Sequence, residues 1–469
     1  MGLFLCICFF KMYNSIFFRG IAQPGSAPAL GAGGRRFKSC CPDHLILNKK
    51  QIVIIGGGLQ GLATANALIE RGEEVLVLER EDDVATSTSF ANAGMMTPSQ
   101  SSPWNSSTDI AQIISGIGKI DSPMLVKLNQ IPSLFFWGLK FLRNSTPNRF
   151  NKISRDLFAL ATYSKDLTVQ FRDQTKASYD ESQKGTLKIY RNVEALEHSI
   201  NLHQKIFSSL DGVEVINNDR LVDIEPQLFD IQSKLSGGLL FSNDEVGDAF
   251  KFCKILEERI RKNGGRILTN TKINKILVNK NKVKGIVTDR AILEAERIVI
   301  CSGSWSRELL KQVGLNLPVR PVKGYSLTFD TSGLNNVPNI SLVDESVHTA
   351  VTAFQNRIRV AGTAEFAGYD DSIHPKRIDY LFRMLETIYP SLYGQIDHSE
   401  GKIWHGFRPM SADGLPFIGD TKIDGLFVNS GQGHLGWTLA MGSASLLSDV
   451  IQGKDSDIDI NPYLASRSL

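Results

Sequence analysis

Residues 51–55 form a short, unbroken apolar run, the pattern of a strand buried on both faces. Gly56, Gly57 and Gly58 break it. Residues 59–71 then place small and apolar side chains at Ala63, Ala65, Ala67 and Leu68, which predicts a helix stopped by Gly72. Residues 74–78 return to a β-branched and apolar run. Strand, tight turn, helix and strand within about thirty residues is the length of a βαβ unit. Further along, residues 87–129 read as loop, rich in Ser, Asn, Gly and Pro. Residues 132–142 carry Phe135, Phe136, Trp137, Phe141 and Leu142, an aromatic stripe read as core, with a membrane-surface or quinone-partner face as the alternative. Helices are expected over 154–175, over 250–263 behind an Asp248 cap, and over 379–389. Residues 185–240 alternate short strands and helices, and 267–287 read as two strands. Buried strands follow at 297–300, 325–329, 358–362 and 426–429. The last ends in Gly431, Gly433 and Gly436 before an apolar helix through Leu447.

Length and charge narrow the class. The 469 residues are enough for one large or two interleaved domains with a sizeable core. The formal charge of +3 is unevenly placed. Residues 1–50 hold seven of the 52 Lys and Arg and one of the 49 acids, which leaves 45 basic and 48 acidic residues in the body. That slightly acidic body has no electrostatic footprint for nucleic acid. Only Cys253 and Cys301 lie in the body, far apart and without metal-ligand spacing, which fits buried thiols in a reducing compartment. No His grouping indicates a metal.

The first 49 residues stand apart. Their apolar start is too short and interrupted for a membrane span, and no basic region precedes it. Phe37-Lys38-Ser39, behind a Gly/Arg-rich stretch, is what a transfer-RNA T-loop read as codons would produce. Residues 1–49 are therefore expected to be a disordered leader or a start-site artefact.

The motif Gly56-Gly57-Gly58-Leu59-Gln60-Gly61 fits G-x-G-x-x-G and sits where the chemistry needs it, after a strand and opening a helix. Gly56 suits the tight turn, Gly58 the approach of a pyrophosphate, and Gly61 close helix packing. The helix end supplies positive potential. Glu79 ends the second strand, where a carboxylate can accept both ribose hydroxyls. The motif alone does not separate NAD from FAD.

Other segments do so by resemblance. The run Ser87-Thr88-Ser89-Phe90-Ala91-Asn92-Ala93-Gly94-Met95, the strand and turn at 298–309, Arg408-Pro409 with Asp413-Gly414-Leu415-Pro416-Phe417-Ile418-Gly419, and residues 429–442 resemble the D-amino-acid oxidase-like flavoprotein superfamily. Within it, Asp244-Glu245-Val246-Gly247-Asp248, Pro321-Val322-Lys323-Gly324-Tyr325 and Gly436-Trp437-Thr438-Leu439-Ala440 resemble the D-amino acid dehydrogenase branch.

The resemblance implies an α/β fold: a Rossmann-like FAD-binding domain interleaved with an antiparallel-sheet α+β substrate domain. The FAD-binding parts are expected at 50–135, 241–318 and 404–455, the substrate parts at 136–240 and 319–403, with a tail at 456–469. It implies noncovalent FAD held by Ile55, Gly56, Gly57, Gly58, Leu59, Gly61, Glu79, Arg80, Ser89, Asn92, Ala93, Gly94, Met95, Ile273, Gly303, Gly433, Gly436, Trp437 and Thr438. It also implies hydride transfer from the substrate Cα to the flavin, with no base required at that carbon. Arg408 is the expected grip on the substrate carboxylate, with an ion pair to Asp413 as the rival role. Tyr325 is a candidate second donor or a packed strand residue, and His434 a ring neighbour or a turn residue. Lys323 lies near the flavin or in solvent, and Trp404 and His405 are read as packing.

The implied partners are a small amino acid and an electron acceptor, quinone or carrier. The implied place is the cytoplasm, with a possible peripheral contact on the inner face of the cytoplasmic membrane. Three rivals stay open at this point: a glycine- or sarcosine-type oxidase using oxygen, an NAD-linked dehydrogenase, and a catalytically silent FAD-binding subunit.

Overall fold

The computed structural model describes residues 50–207 and 212–467, so the expectation for residues 1–49 lies outside the described residues. The predicted βαβ unit is present as strand Ile52–Ile55, helix Leu59–Glu70 and strand Val75–Leu78. Both strands are buried along their whole length, because they are central in a six-stranded sheet covered on two faces. Arg297–Ile300 and Leu426–Ser430 extend it in parallel on one side, and Arg266–Leu268 does so on the other; only Phe417–Asp420 runs antiparallel. One face packs on the helices Leu59–Glu70, Pro147–Thr175, Ala249–Lys262 and Ala440–Gln452. The other face buries Val53, Leu76 and Ile298 against Ile276, Val283 and Leu293 of a three-stranded antiparallel sheet.

The second layer is a nine-stranded, mainly antiparallel sheet. At one end of it, Val319–Asp330 pairs with the edge strand Lys402–Ser411 on one side and with Arg357–Phe366 on the other. One face packs Leu187, Leu342 and Val360 against helix Pro375–Ile388. The opposite face meets the loop that follows the βαβ unit, where Ser326 Oγ donates to the Ala91 carbonyl at 2.8 Å.

Several expectations need correction. The stretch read as loop over 87–129 contains helix Ser107–Ser115, closed by a capping box between Ser106 and Asp109, and strand Met124–Val126. The helix is short and set in a Ser-, Asn- and Pro-rich stretch, and only Ile110 and Ile113 pack on the core, too few positions to show a period. Residues 267–287 fall in three strands, not two, with Lys280 and Asn281 both at positive φ in the last turn. The strands expected at 325–329 and 358–362 are pieces of twelve- and ten-residue strands, respectively. The aromatic stripe is only half core: Trp137 and Phe141 are buried, whereas Phe135, Phe136 and Leu142 are exposed.

The expected boundaries also cut across elements. Helix Pro147–Thr175, inside the stretch assigned to the substrate part, packs Leu157, Leu160 and Ala161 into the nucleotide-side core. Strand Met124–Val126, assigned to the FAD part, pairs with Arg357–Phe366 of the substrate sheet. The 403/404 boundary splits strand Lys402–Ser411. The tail is anchored: Tyr463 is buried in the nucleotide-side core and donates to the Asp156 carbonyl at 2.6 Å.

The turn between Ile55 and Leu59 depends on close packing. Gly56 has φ +111°, and a Cβ there would lie 2.7 Å from the Cys301 carbonyl oxygen. A Cβ on Gly61 would lie 1.8 Å from the Gly56 carbonyl oxygen. Gly61→Ala therefore forces the helix off the strand, and an expected loss of about 1–3 kcal/mol should appear as a lower denaturant midpoint. An unchanged midpoint would show that the turn tolerates a wider helix.

Candidate active site

A cavity of about 1220 Å³ opens at the carboxyl ends of Ile52–Ile55 and Arg297–Ile300 and runs between the two sheets. This is the crevice where the order of strands in an open α/β sheet reverses, and where ligands bind such folds. At its first end lie Gly56, Gly58 and Leu59. An added Cβ on Gly58 would touch nothing nearer than Ser89 Oγ at 3.5 Å, so the backbone there faces open space. Glu79 sits at the end of the second strand, with Oε2 accepting from the Gly57 N–H at 2.6 Å and Oε1 from the Glu81 N–H at 3.0 Å. The Arg80 guanidinium lies 3.9 Å from the Trp305 ring centroid, and Ile273 and Gly303 complete this end.

The middle of the cavity is walled by the loop through Ser89, Asn92, Ala93, Gly94 and Met95. This loop is held from the substrate sheet. Arg359 Nη1 donates to the Asn92 carbonyl at 2.8 Å, and the hydroxyl of Thr352 donates to the Ala93 carbonyl. Gly94 takes φ +73°, where a Cβ would meet the Phe354 ring at 2.6 Å. Opposite stand Gly433, His434, Gly436 and Trp437, the last two in the turn before helix Ala440–Gln452 rather than in its first turn. Gln60 Nε2 donates to the Gly436 carbonyl at 2.7 Å, joining the two ends of the wall. An open glycine turn, a strand-end carboxylate and a loop pinned by its own carbonyls suit a long dinucleotide such as FAD.

The far end holds Arg408. Its guanidinium keeps some surface open to the cavity but is otherwise enclosed, and burial pushes its pKa down to about 10. Nη1 donates to the Thr363 carbonyl at 2.9 Å, and the group lies 5.5 Å from the Trp104 ring centroid. Asp413, the rival partner, is instead paired with Arg467 at 2.9 Å. Local backbone geometry makes room for the guanidinium. Between Lys323↔Glu365 and Tyr325↔Gly362 the register slips by one residue, so Thr363 and Ala364 oppose Gly324 alone. Such a bulge re-aims the chain next to a site. It leaves Thr363 at φ +61°, a strained position for a β-branched residue, with its carbonyl turned to Arg408. A Cβ on Gly324 would lie 2.3 Å from Arg408 Nη1.

The structure brings most of the expected residues to one cavity. Gly57, Gly61 and Thr438 do not line it: Gly61 serves helix packing, Gly57 contacts Glu79, and Thr438 Oγ1 accepts from the Thr97 N–H at 3.1 Å. Tyr325 lines the wall, but its hydroxyl donates to Glu365 Oε2 at 2.7 Å, so its one donor is not free for a substrate carboxylate. Burial, first, and that carboxylate push its pKa up. His434 stacks on Trp104 with centroids 4.9 Å apart, and burial lowers its pKa to about 4, so it is neutral at pH 7. Lys323 is neither solvated nor in the cavity lining; Nζ donates to the carbonyls of Asp370 and Ser372 at 2.8 and 2.9 Å. Trp404, read as packing, lines the cavity. The sequence reading missed Trp104, Gly324 and Thr363. A lone tryptophan in a polar stretch was a usable signal for the first; nothing in the sequence marks a bulge.

Comparison with known proteins agrees with this arrangement. The family model described as DAO, FAD dependent oxidoreductase, matches residues 51–450. A D-amino acid dehydrogenase of Vibrio atlanticus (strain LGP32) is 36% identical over 410 residues, covering 87% of this chain and 97% of the relative. A D-amino acid dehydrogenase of Rhizobium johnstonii (strain DSM 114642 / LMG 32736 / 3841) is 35% identical over 419 residues, covering 89% and 99%. Among solved structures, the glycine oxidase from Bacillus cereus ATCC 14579 superposes with a TM-score of 0.69 at 23% identity, covering 90% of this chain and 99% of that one. The L-proline dehydrogenase from P. horikoshii gives 0.67 at 18%, covering 89% and 97%. At those identities the structures show the fold.

The bulge makes a sharp prediction. Gly324→Ala should displace the Arg408 guanidinium and lower kcat/KM by about tenfold or more, through KM, while flavin content stays unchanged. Steady-state kinetics with a carboxylate substrate, set beside the bound-flavin absorbance, checks it.

Proposed function

The chain belongs to the FAD-dependent oxidoreductase family, and on that premise we propose that it is a D-amino acid dehydrogenase, oxidising D-alanine-like amino acids to 2-oxo acids and ammonia. The observation that carries the reading is Arg408: an enclosed guanidinium facing the cavity, with no acid paired to it among the described residues. Such a charge is a site waiting for a carboxylate, and a planar fork binds one through two parallel hydrogen bonds.

FAD, held noncovalently, supplies the two-electron acceptor for oxidation at the substrate Cα–N bond. The chain positions both reactants. The Gly56–Gly58 turn and Leu59 would receive the pyrophosphate, Glu79 the ribose, and Arg80 with Ile273 and Gly303 the adenine end. Ser89 to Met95 and Gly433 to Trp437 would hold the flavin, and the N–H groups of Gly436 and Trp437 would favour negative charge on it. Arg408 fixes the carboxylate, Thr363 and Gly324 fix Arg408, and Trp104 roofs the substrate and excludes water. Glu365 is engaged by Tyr325 and Lys127, so it is not free to act as a base. The substrate amine therefore arrives neutral, and water outside the cavity releases ammonia from the imino acid product.

The electron acceptor is a quinone or a carrier protein, reached by peripheral contact with the inner face of the cytoplasmic membrane. Among the described residues no helix is long and apolar enough to cross a membrane.

Anaerobic D-alanine should bleach the flavin absorbance while L-alanine does not; no bleaching by either would end the reading. Hydrogen peroxide formed in step with substrate loss would assign an oxygen-using oxidase instead. Arg408→Ala should keep flavin but lose about 2–5 kcal/mol of transition-state binding. The depressed pKa of Arg408 also sets a pH limit. Its positive charge is intact at pH 7 and lost as pH rises through about 10. The kcat/KM profile should therefore fall near pH 10. The flavin reduction rate at saturating substrate should hold to higher pH, because a bound carboxylate stabilises the cation.

A further inference from the structure

Helix Ile131–Arg143 has two apolar sides and only one of them is covered. Trp137 and Phe141 stack on each other at 5.0 Å and pack towards Phe366. Ile131, Phe135, Leu139 and Leu142, spaced at i, i+4, i+8 and i+11, share another face and are all exposed, and Phe136 beside them is 76% exposed. The surface continues beyond the helix. Leu128 is 64% exposed and lies against Gly118, where a Cβ would be 3.6 Å from its Cγ, so the turn carrying Lys119 adjoins the patch. Soluble surfaces rarely leave such a contiguous apolar area open without a partner.

The charges around it are mainly positive, with the exposed Asp121, and Asp370 beside Lys127, as the exceptions. Lys119, Arg143 and Arg149 are exposed and Lys140 is half-buried, with Asp121 the one acid between residues 114 and 149. Lys127 is taken up by Asp370 and Glu365. This cationic rim sits on a body in which acids outnumber bases, 48 to 45 outside residues 1–50. Apolar and aromatic side chains flanked by Lys and Arg are the composition of a surface that lies in a lipid headgroup region. A second copy is a poor fit, because a two-fold contact would bring this rim against itself.

We infer that the exposed face of helix Ile131–Arg143, with Leu128 and the turn at Lys119, docks on an anionic lipid bilayer. The bilayer both buries Phe135 and Phe136 and neutralises the rim. The same segment carries Pro123 and Met124, which line the cavity, so docking sets the cavity wall beside the apolar phase. This deepens the acceptor half of the proposed function; the exposure and charge do not depend on it.

The test is flotation of the full-length flavin-loaded protein with vesicles of phosphatidylcholine alone or mixed with phosphatidylglycerol. The wild type should float with the anionic vesicles and release at high salt. Phe135→Ser with Phe136→Ser should lower the partition constant by about tenfold or more. Lys140→Gln and Arg143→Gln should each lower it by up to about fivefold at low salt. Bleaching by D-alanine should be unchanged in all of them, which separates docking from folding and from the chemistry. The proposal is overturned if the wild type stays with the soluble fraction, or if the phenylalanine variant floats as well as the wild type. It is equally overturned if sedimentation shows a dimer that the phenylalanine variant dissolves.

Discussion

A half-buried cation that has no counter-ion among the described residues is the constraint around which the site is built. Enclosing a lone guanidinium costs several kcal/mol, and the least costly response would be a neighbouring carboxylate. Asp413 and Glu365, on the same or neighbouring strands and loops, are committed elsewhere. Asp413 is held by Arg467. Glu365, in the strand next to Val319–Asp330, takes the Tyr325 hydroxyl and the Lys127 ammonium, with Lys323 3.8 Å away. Arg408 is left with one carbonyl and the face of Trp104. The cost is offset when a substrate carboxylate arrives, so binding energy goes to the one group that orients the reacting carbon.

Both sheets are needed to keep that arrangement. The nucleotide-side sheet supplies the glycine turn and the strand end at Glu79, but it does not hold the loop beyond them. The substrate sheet does so, through Ser326, Thr352 and Arg359 donating to the carbonyls of Ala91, Asn92 and Ala93. Displacing that sheet would release the loop, and displacing the loop would open the cavity. The chain accordingly weaves between the layers: Met124–Val126 pairs with the substrate sheet, and Pro147–Thr175 returns to pack near Gly442, where a Cβ would lie 2.7 Å from Ser164. The described residues form one compact unit for this reason.

The charged cluster around Glu365 ties the roof to the wall. Arg377 donates to the carbonyls of Ile120 and Ser122, and Lys127 bridges Glu365 and Asp370, so the segment ahead of the aromatic helix is fastened to the substrate sheet by polar contacts. Helix Ser107–Ser115 has no fully buried residue and is held by the partly buried Ile110 and Ile113 against the cluster of Met124, Trp137 and Phe366. The roof is firm where it joins the sheet and lightly packed beyond, the end of the stability range from which moving parts are drawn.

The sequence by itself determined what depends on neighbours along the chain. The run at 51–55, the glycines and the apolar run at 74–78 specify strand, turn and helix locally, so the nucleotide end was legible, whereas the residues from Ser89 to Met95 and Arg408 were singled out by resemblance to a family. Tertiary structure decided what depends on pairing between distant strands. A one-residue slip opposite Gly324 turns the Thr363 carbonyl towards Arg408, and no local pattern encodes a register set by strands forty residues away. The same holds for Tyr325, whose donor is spent on Glu365, and for Trp104, which a polar loop carries across to Arg408. It holds also for Phe135 and Phe136. Helical spacing makes them apolar neighbours of Trp137, but only the packed fold shows which side of that helix is left uncovered.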